Sequence, residues 1–137
     1  MRVILDTNVL ISALISPRGA SDLLYQAWRV GHFVLVSSEA QLEEFSRVSR
    51  YARLRPYLEP SAAGTMLNEI KVVAAILQKL PKVDRSQDSA DNYILAMAEA
   101  GKADYLVAGD KAGLLQLKQH AKTKIVTVRK MVEILRL

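Results

Sequence analysis

The sequence predicts an α/β fold: a parallel sheet with helices on both faces. Three observations carry this expectation. Short apolar runs rich in β-branched residues recur at 2–5, 33–36, 105–108 and 125–128. None of them alternates polar with apolar, as expected for strands buried on both faces. Helical stripes fill every interval, and each interval is long enough for a crossover between parallel strands. At 137 residues, with no internal repeat, low-complexity tract or linker, the chain is expected to form one domain, 1–137.

Taken in order, Arg2-Val3-Ile4-Leu5 is the first strand and ends at Asp6. Val9, Leu10, Ala13 and Leu14 recur at helical spacing until Pro17 and Gly19 interrupt them. Ser21 or Asp22 opens the next helix, with Leu23, Leu24, Ala27 and Trp28 inward and Gly31 at its end. Phe33-Val34-Leu35-Val36 is the second strand. Ser38 with Gln41 three residues on is a capping-box pattern, starting a helix that buries Leu42, Phe45 and Val48. The stretch 51–60 holds two prolines and is irregular or a short helix. A long helix is expected over 61–79, with Ala63, Met66, Leu67, Ile70, Val73, Ala74 and Leu77 as its stripe. After Pro81 and a polar stretch at 84–92, a helix carries Ile94, Leu95, Met97 and Ala98 to Gly101. Tyr105–Ala108 is the third strand, Leu114, Leu115 and Leu117 mark a short helix, 125–128 is the fourth strand, and a helix closes the chain.

Composition narrows the function classes. Half the residues are apolar and a quarter charged, which excludes collagen, coiled coil and disorder. Cysteine is absent, so a thiolate metal site and a thiol nucleophile are excluded, in keeping with a reducing cytoplasm. No apolar run reaches the length of a membrane span, and the acid at position 6 leaves no room for a signal peptide's apolar core. The net charge of +5 favours an anionic partner such as nucleic acid, although a basic surface serves solubility equally well.

In parallel sheets reactive groups gather beyond the carboxyl ends of the strands, near the point where strand order reverses. Asp6 ends the first strand, and Asp110 follows the third by one glycine. Asp91 and Asp88 lie at the start of the preceding helix, and Glu43 and Glu44 lie within the helix after the second strand. Carboxylates brought to one sheet edge repel one another, and a hard divalent cation, Mg²⁺ or Mn²⁺, relieves that repulsion with oxygen ligands. Such a cation activates water and neutralises a scissile phosphate. Acids within a basic exterior therefore point to metal-dependent phosphodiester hydrolysis.

Four segments carry a resemblance. Val3-Ile4-Leu5-Asp6-Thr7-Asn8-Val9-Leu10-Ile11-Ser12 is similar to the opening motif of PIN-domain nucleases. Gln41-Leu42-Glu43-Glu44-Phe45 is similar to their second acidic motif. Asp88 to Ala98 resembles the third motif and Ala103 to Lys111 the fourth. The nearest resemblance is to VapC-like toxin components of bacterial and archaeal toxin–antitoxin pairs. It implies a three-layer α/β/α sandwich with a central parallel sheet, and cleavage of single-stranded RNA with Mg²⁺ or Mn²⁺. It also implies a homodimer in the cytoplasm and a protein antitoxin as partner. Carried over by motif position, the catalytic and metal-binding acids are Asp6, Glu44, Asp91 and Asp110. Glu44 is preferred to Glu43 because it precedes the apolar Phe45. Asp88, Thr7, Asn8 and Ser12 would give support. The sequence departs from the family at Ala108, where Thr or Ser is usual, and at Ala112, where many members carry another acid, with Gly113 following as if inserted.

Plainer roles compete at several positions. Asp6 also fits a strand end, Asn8 a helix cap, and Asp88 and Asp91 a capped helix start. Glu43, Lys111, His32 and His120 fit a solvated surface. Trp28 fits the core or a dimer contact. Arg47, Arg50, Arg53 and Arg55 would form a basic stripe if helical, able to grip a phosphate backbone or merely to face solvent. Two other function classes stay open: a non-catalytic RNA-binding module on a degenerate PIN fold, motivated by Ala108 and Ala112, and an aspartate-nucleophile phosphatase or phospho-receiver. The second lacks the usual acid at position 8, which is Asn, and the receiver's acidic pair.

Overall fold

The structure, a computed structural model, describes residues 1–109 and 112–137. Its strands are β1 (Arg2–Leu5), β2 (Val34–Ser38), β3 (Ala75–Leu77), β4 (Tyr105–Ala108), β5 (Gln119–His120) and β6 (Thr123–Thr127). Its helices are α1 (Thr7–Ile15), α2 (Ala20–Arg29), α3 (Glu39–Ser49), α4 (Pro60–Val73), α5 (Ser89–Gly101), α6 (Ala112–Leu117) and α7 (Val128–Leu135). A short 3₁₀ helix, Ala52–Leu54, lies between α3 and α4. The sheet order is β3-β2-β1-β4-β6-β5. All pairings are parallel except β5 with β6.

Side chains of successive strand residues point to opposite faces, and each face has its own core. Val3, Leu5, Leu35 and Val107 pack on α1, α2, α3, α4 and α7 through Leu10, Leu24, Phe45, Ile70 and Met131. Ile4, Val36, Leu106 and Ala108 pack on α5 and α6 through Ile94, Leu95, Met97 and Leu114. The expected α/β/α sandwich with a central, mostly parallel sheet is therefore present. Trp28 belongs to the first core, its ring edge-on to Tyr25 at 5.3 Å between centroids. On the other face α5 lies close over β2, because a Cβ at Gly101 would stand only 2.6 Å from Val36 Cγ1. Among the described residues, no helix is long and apolar enough to cross a membrane.

Several local expectations are corrected. The helix expected over 61–79 stops at Val73; Ala74 is extended, and Ala75–Leu77 pair with Val36–Ser38 as β3. The apolar spacing of Ile70, Val73, Ala74 and Leu77 runs across that break, so periodicity could not reveal it. Strand β5 was also not anticipated, being two residues long. The second helix starts at Ala20 behind Gly19, not at Ser21 or Asp22, and Leu23 is exposed. His120 is not a plain surface residue, since its ring contacts Glu99 Oε2 at 2.6 Å and Arg85 Nη1 at 2.9 Å. The arginines do not form a single helical stripe, and Arg53 stands apart from the other three. The chain leaves α3 at Ser49 and turns through the 3₁₀ helix, so that Arg47, Arg50 and Arg55 line two adjoining grooves that share Arg50, while Arg53 lines a separate one.

Candidate active site

The chain runs from β1 outward to β2 and β3, then returns to the other side of β1 as β4 and continues to β6. Strand order thus reverses between β1 and β4. The crevice at their carboxyl ends is the place where such sheets bind ligands. Asp6 directly follows β1, and Gly109 directly follows β4. Because α3 and α5 run antiparallel to the strands, their amino-terminal halves reach the same edge and bring Glu44 and Asp91 with them.

Asp6 is buried, and its backbone ties three elements together. Its N–H donates to the Val107 carbonyl at 2.9 Å, and its carbonyl accepts from Val9 and Leu10 at the start of α1. It occupies the cap position of α1, but its carboxylate makes no cap hydrogen bond. Asn8, proposed from sequence as a possible cap, lies inside the helix and is exposed. Thr7 is buried and Ser12 half-buried.

Gln41 holds the carbonyl just before Asp6. The Ser38 hydroxyl accepts from the Gln41 backbone N–H at 3.1 Å, as the capping-box pattern implies. The Gln41 side chain does not return the favour. It is buried, donates through Nε2 to the Leu5 carbonyl at 2.7 Å, and accepts from the Ser37 hydroxyl at 2.6 Å. A residue read from sequence as a cap therefore clamps α3 to the end of β1.

Glu44 is half-buried, and Oε1 accepts from the Tyr93 hydroxyl at 2.5 Å. The same hydroxyl lies 3.4 Å from Thr7 Oγ1. Burial pushes the Tyr93 phenol far above its usual value; the bond to Glu44 and the negative charges of Glu44 and Asp6 add to this. The phenol therefore stays a donor across the neutral range. Glu43 is exposed, in line with its reading as a surface residue. Sequence reasoning treated Tyr93 only as part of a motif. A hydroxyl-bearing residue two places after an acid at a helix start was the available signal. In a double-mutant cycle, Tyr93→Phe and Glu44→Ala should show a coupling of about 1 kcal/mol or more, because the bond joins a neutral donor to a carboxylate. Urea denaturation measures this, and strictly additive effects would contradict the pairing.

Asp91 is buried in the first turn of α5, where Oδ2 accepts from the Ser86 hydroxyl at 3.2 Å. Asn92 orders the preceding loop: its Oδ1 accepts from the N–H groups of Arg85 and Ser86, and its Nδ2 donates to the Ser86 carbonyl. Neither Ser86 nor Asn92 was singled out from sequence. Asp88 is exposed and caps α5, accepting from Ala90 N–H at 3.0 Å.

Asp110 and Lys111 lie outside the described residues. The flanking glycines lie close to the other segments. A Cβ on Gly109 would stand 3.4 Å from Asn8 Cβ, and one on Gly113 would stand 3.3 Å from Asp91 Oδ2. Gly109 thus lies against the first segment and Gly113 against the third, where the missing side chain leaves Asp91 approachable. Ala108 is buried in the core beneath α5 and α6. Among the described residues, no three carboxylate or imidazole groups are placed to share one ion. The donor set nevertheless fits a hard divalent cation in chemistry. It consists of carboxylates, two of them buried, flanked by hydroxyls.

Comparison with known proteins agrees with the fold. The PIN-domain family profile matches residues 2–112. An uncharacterized protein of Methanocaldococcus jannaschii is 29% identical over 127 residues, covering 89% of this chain and 78% of the relative.

Proposed function

The chain belongs to the PIN-domain family, and from that premise we propose that it is a metal-dependent endoribonuclease that hydrolyses single-stranded RNA. PIN domains are typically nucleases that use divalent metals. The observation that carries the reading is the burial of Asp6 and Asp91 at the carboxyl edge of the sheet, where strand order reverses.

Asp6 and Asp91 would hold Mg²⁺ or Mn²⁺ together with Asp110. When bound, the cation makes water a better nucleophile and neutralises charge building on the phosphate. Glu44, with one oxygen fixed by Tyr93, keeps its other oxygen for the proton of the attacking water, the role of a general base. Thr7 steadies Tyr93, and Gln41 fixes the strand end that carries Asp6. Asn8 and Ser12 present polar groups to the approaching strand, and Asp88 acts through the first turn of α5.

The resemblance to VapC-like toxins supports a finer reading: a cytoplasmic homodimer restrained by a protein antitoxin. The purified chain should cleave single-stranded RNA with Mn²⁺ and stop when EDTA is added. Cleavage that EDTA leaves untouched would overturn the metal-dependent reading. Ala108 and Ala112 favour a second reading, a non-catalytic RNA-binding module. RNA binding that weakens with salt, without Mn²⁺ uptake or cleavage, would select it.

A further inference from the structure

A groove of 640 Å³ opens beside the acids, lined by Asn8, Ser12, Ser16, Ser21, Arg53 and Gly109 among others. It adjoins the candidate active site through Asn8, two residues after Asp6, and through Gly109, which directly follows β4. Among the described residues that line it, none is acidic and Arg53 is the only cation. The other arginines of this region point elsewhere. Arg50 and Arg55 border an apolar groove floored by Phe45, Leu58 and Leu67, and Arg47, Arg50 and Lys71 share an adjoining groove with the acids Glu39 and Glu43. Arg53 is also held in place, its guanidinium over the Tyr51 ring at 5.4 Å from the centroid.

A polyanion that must approach several carboxylates needs compensating positive charge and hydrogen-bond donors next to them. A guanidinium matches a phosphate bidentately, and serine hydroxyls and an asparagine amide complete a phosphate and sugar track. We propose that this groove binds the backbone of single-stranded RNA next to the scissile bond, with Arg53 taking a phosphate. This deepens the nuclease reading and rests on it. The remaining basic residues then contribute to general attraction, while Arg53 sets the path of the strand.

The test is fluorescence anisotropy of a labelled single-stranded RNA oligonucleotide across a salt series, in EDTA so that no cleavage occurs. Arg53→Gln should weaken binding about tenfold and reduce the slope of log K against log salt by about 0.7, the value of one lost single-strand phosphate contact. Arg55→Gln, the same charge change on the other groove, should leave the slope at the wild-type value. Both side chains are exposed, so neither substitution threatens folding, and circular dichroism verifies this. Wild-type affinity and slope in Arg53→Gln would overturn the proposal while leaving the nuclease reading intact. An equal loss in Arg55→Gln would also overturn it, by showing unspecific attraction. Tighter binding of duplex than of single strands would overturn the choice of ligand. A wild-type chain that binds no RNA would overturn the underlying function as well.

Discussion

Asp6→Asn should reduce Mn²⁺-dependent RNA cleavage by at least about a hundredfold, since a catalytic metal supplies several kcal/mol of transition-state stabilisation and each ~1.4 kcal/mol is a factor of ten. The substitution keeps the shape of a buried side chain and removes its charge. Folding should therefore survive, and without metal the variant should unfold at the same temperature as wild type or higher. The diagnostic difference appears on adding Mn²⁺. Wild type should gain stability as ligand binding to the folded state dictates, by about 2.7 kcal/mol at a hundredfold excess over Kd, and the variant should gain much less. Thermal melts with and without Mn²⁺, run beside the cleavage assay, separate loss of metal from loss of fold. Undiminished cleavage by Asp6→Asn would remove this carboxylate from the site.

Gln41→Leu should cost about 2–6 kcal/mol of stability, from two buried groups each losing this partner at roughly 1–3 kcal/mol. The groups are the Leu5 carbonyl and the Ser37 hydroxyl, both now satisfied by the Gln41 amide. Leucine fills most of the volume, so the loss is one of hydrogen bonding more than of packing. Because the Leu5 carbonyl precedes Asp6, the variant should also bind Mn²⁺ more weakly. Urea denaturation gives the first effect and calorimetric titration the second. A midpoint within error of wild type would show that the clamp contributes nothing.

How much of this was legible in the sequence differs from residue to residue. Asp6 could be placed because an apolar run that does not alternate has few fates other than a buried strand, and the acid marks its end. Ser38 could be placed as a cap because its partner, the Gln41 N–H, is three residues away. The Gln41 side chain could not, since its partner Leu5 is 36 residues distant and no local pattern encodes that choice. Tyr93 and Glu44 are separated by 49 residues and were hidden for the same reason. Strand β3 was missed because its apolar residues continue the phase of α4; only pairing with β2 distinguishes them. The arginine spacing misled in the opposite sense, since a helical stripe needs a helix and α3 ends at Ser49. Local chemistry reads well from sequence, and contacts made across the sheet edge do not.

The central claim is that acids from separate parts of the chain hold one divalent cation at the end of β1. A crystal of the full chain soaked in Mn²⁺ tests it most directly through anomalous scattering. A peak is expected within about 2.0–2.6 Å of carboxylate oxygens of both Asp6 and Asp91. A peak bound by other residues, or none at a Mn²⁺ concentration that supports cleavage, would contradict it.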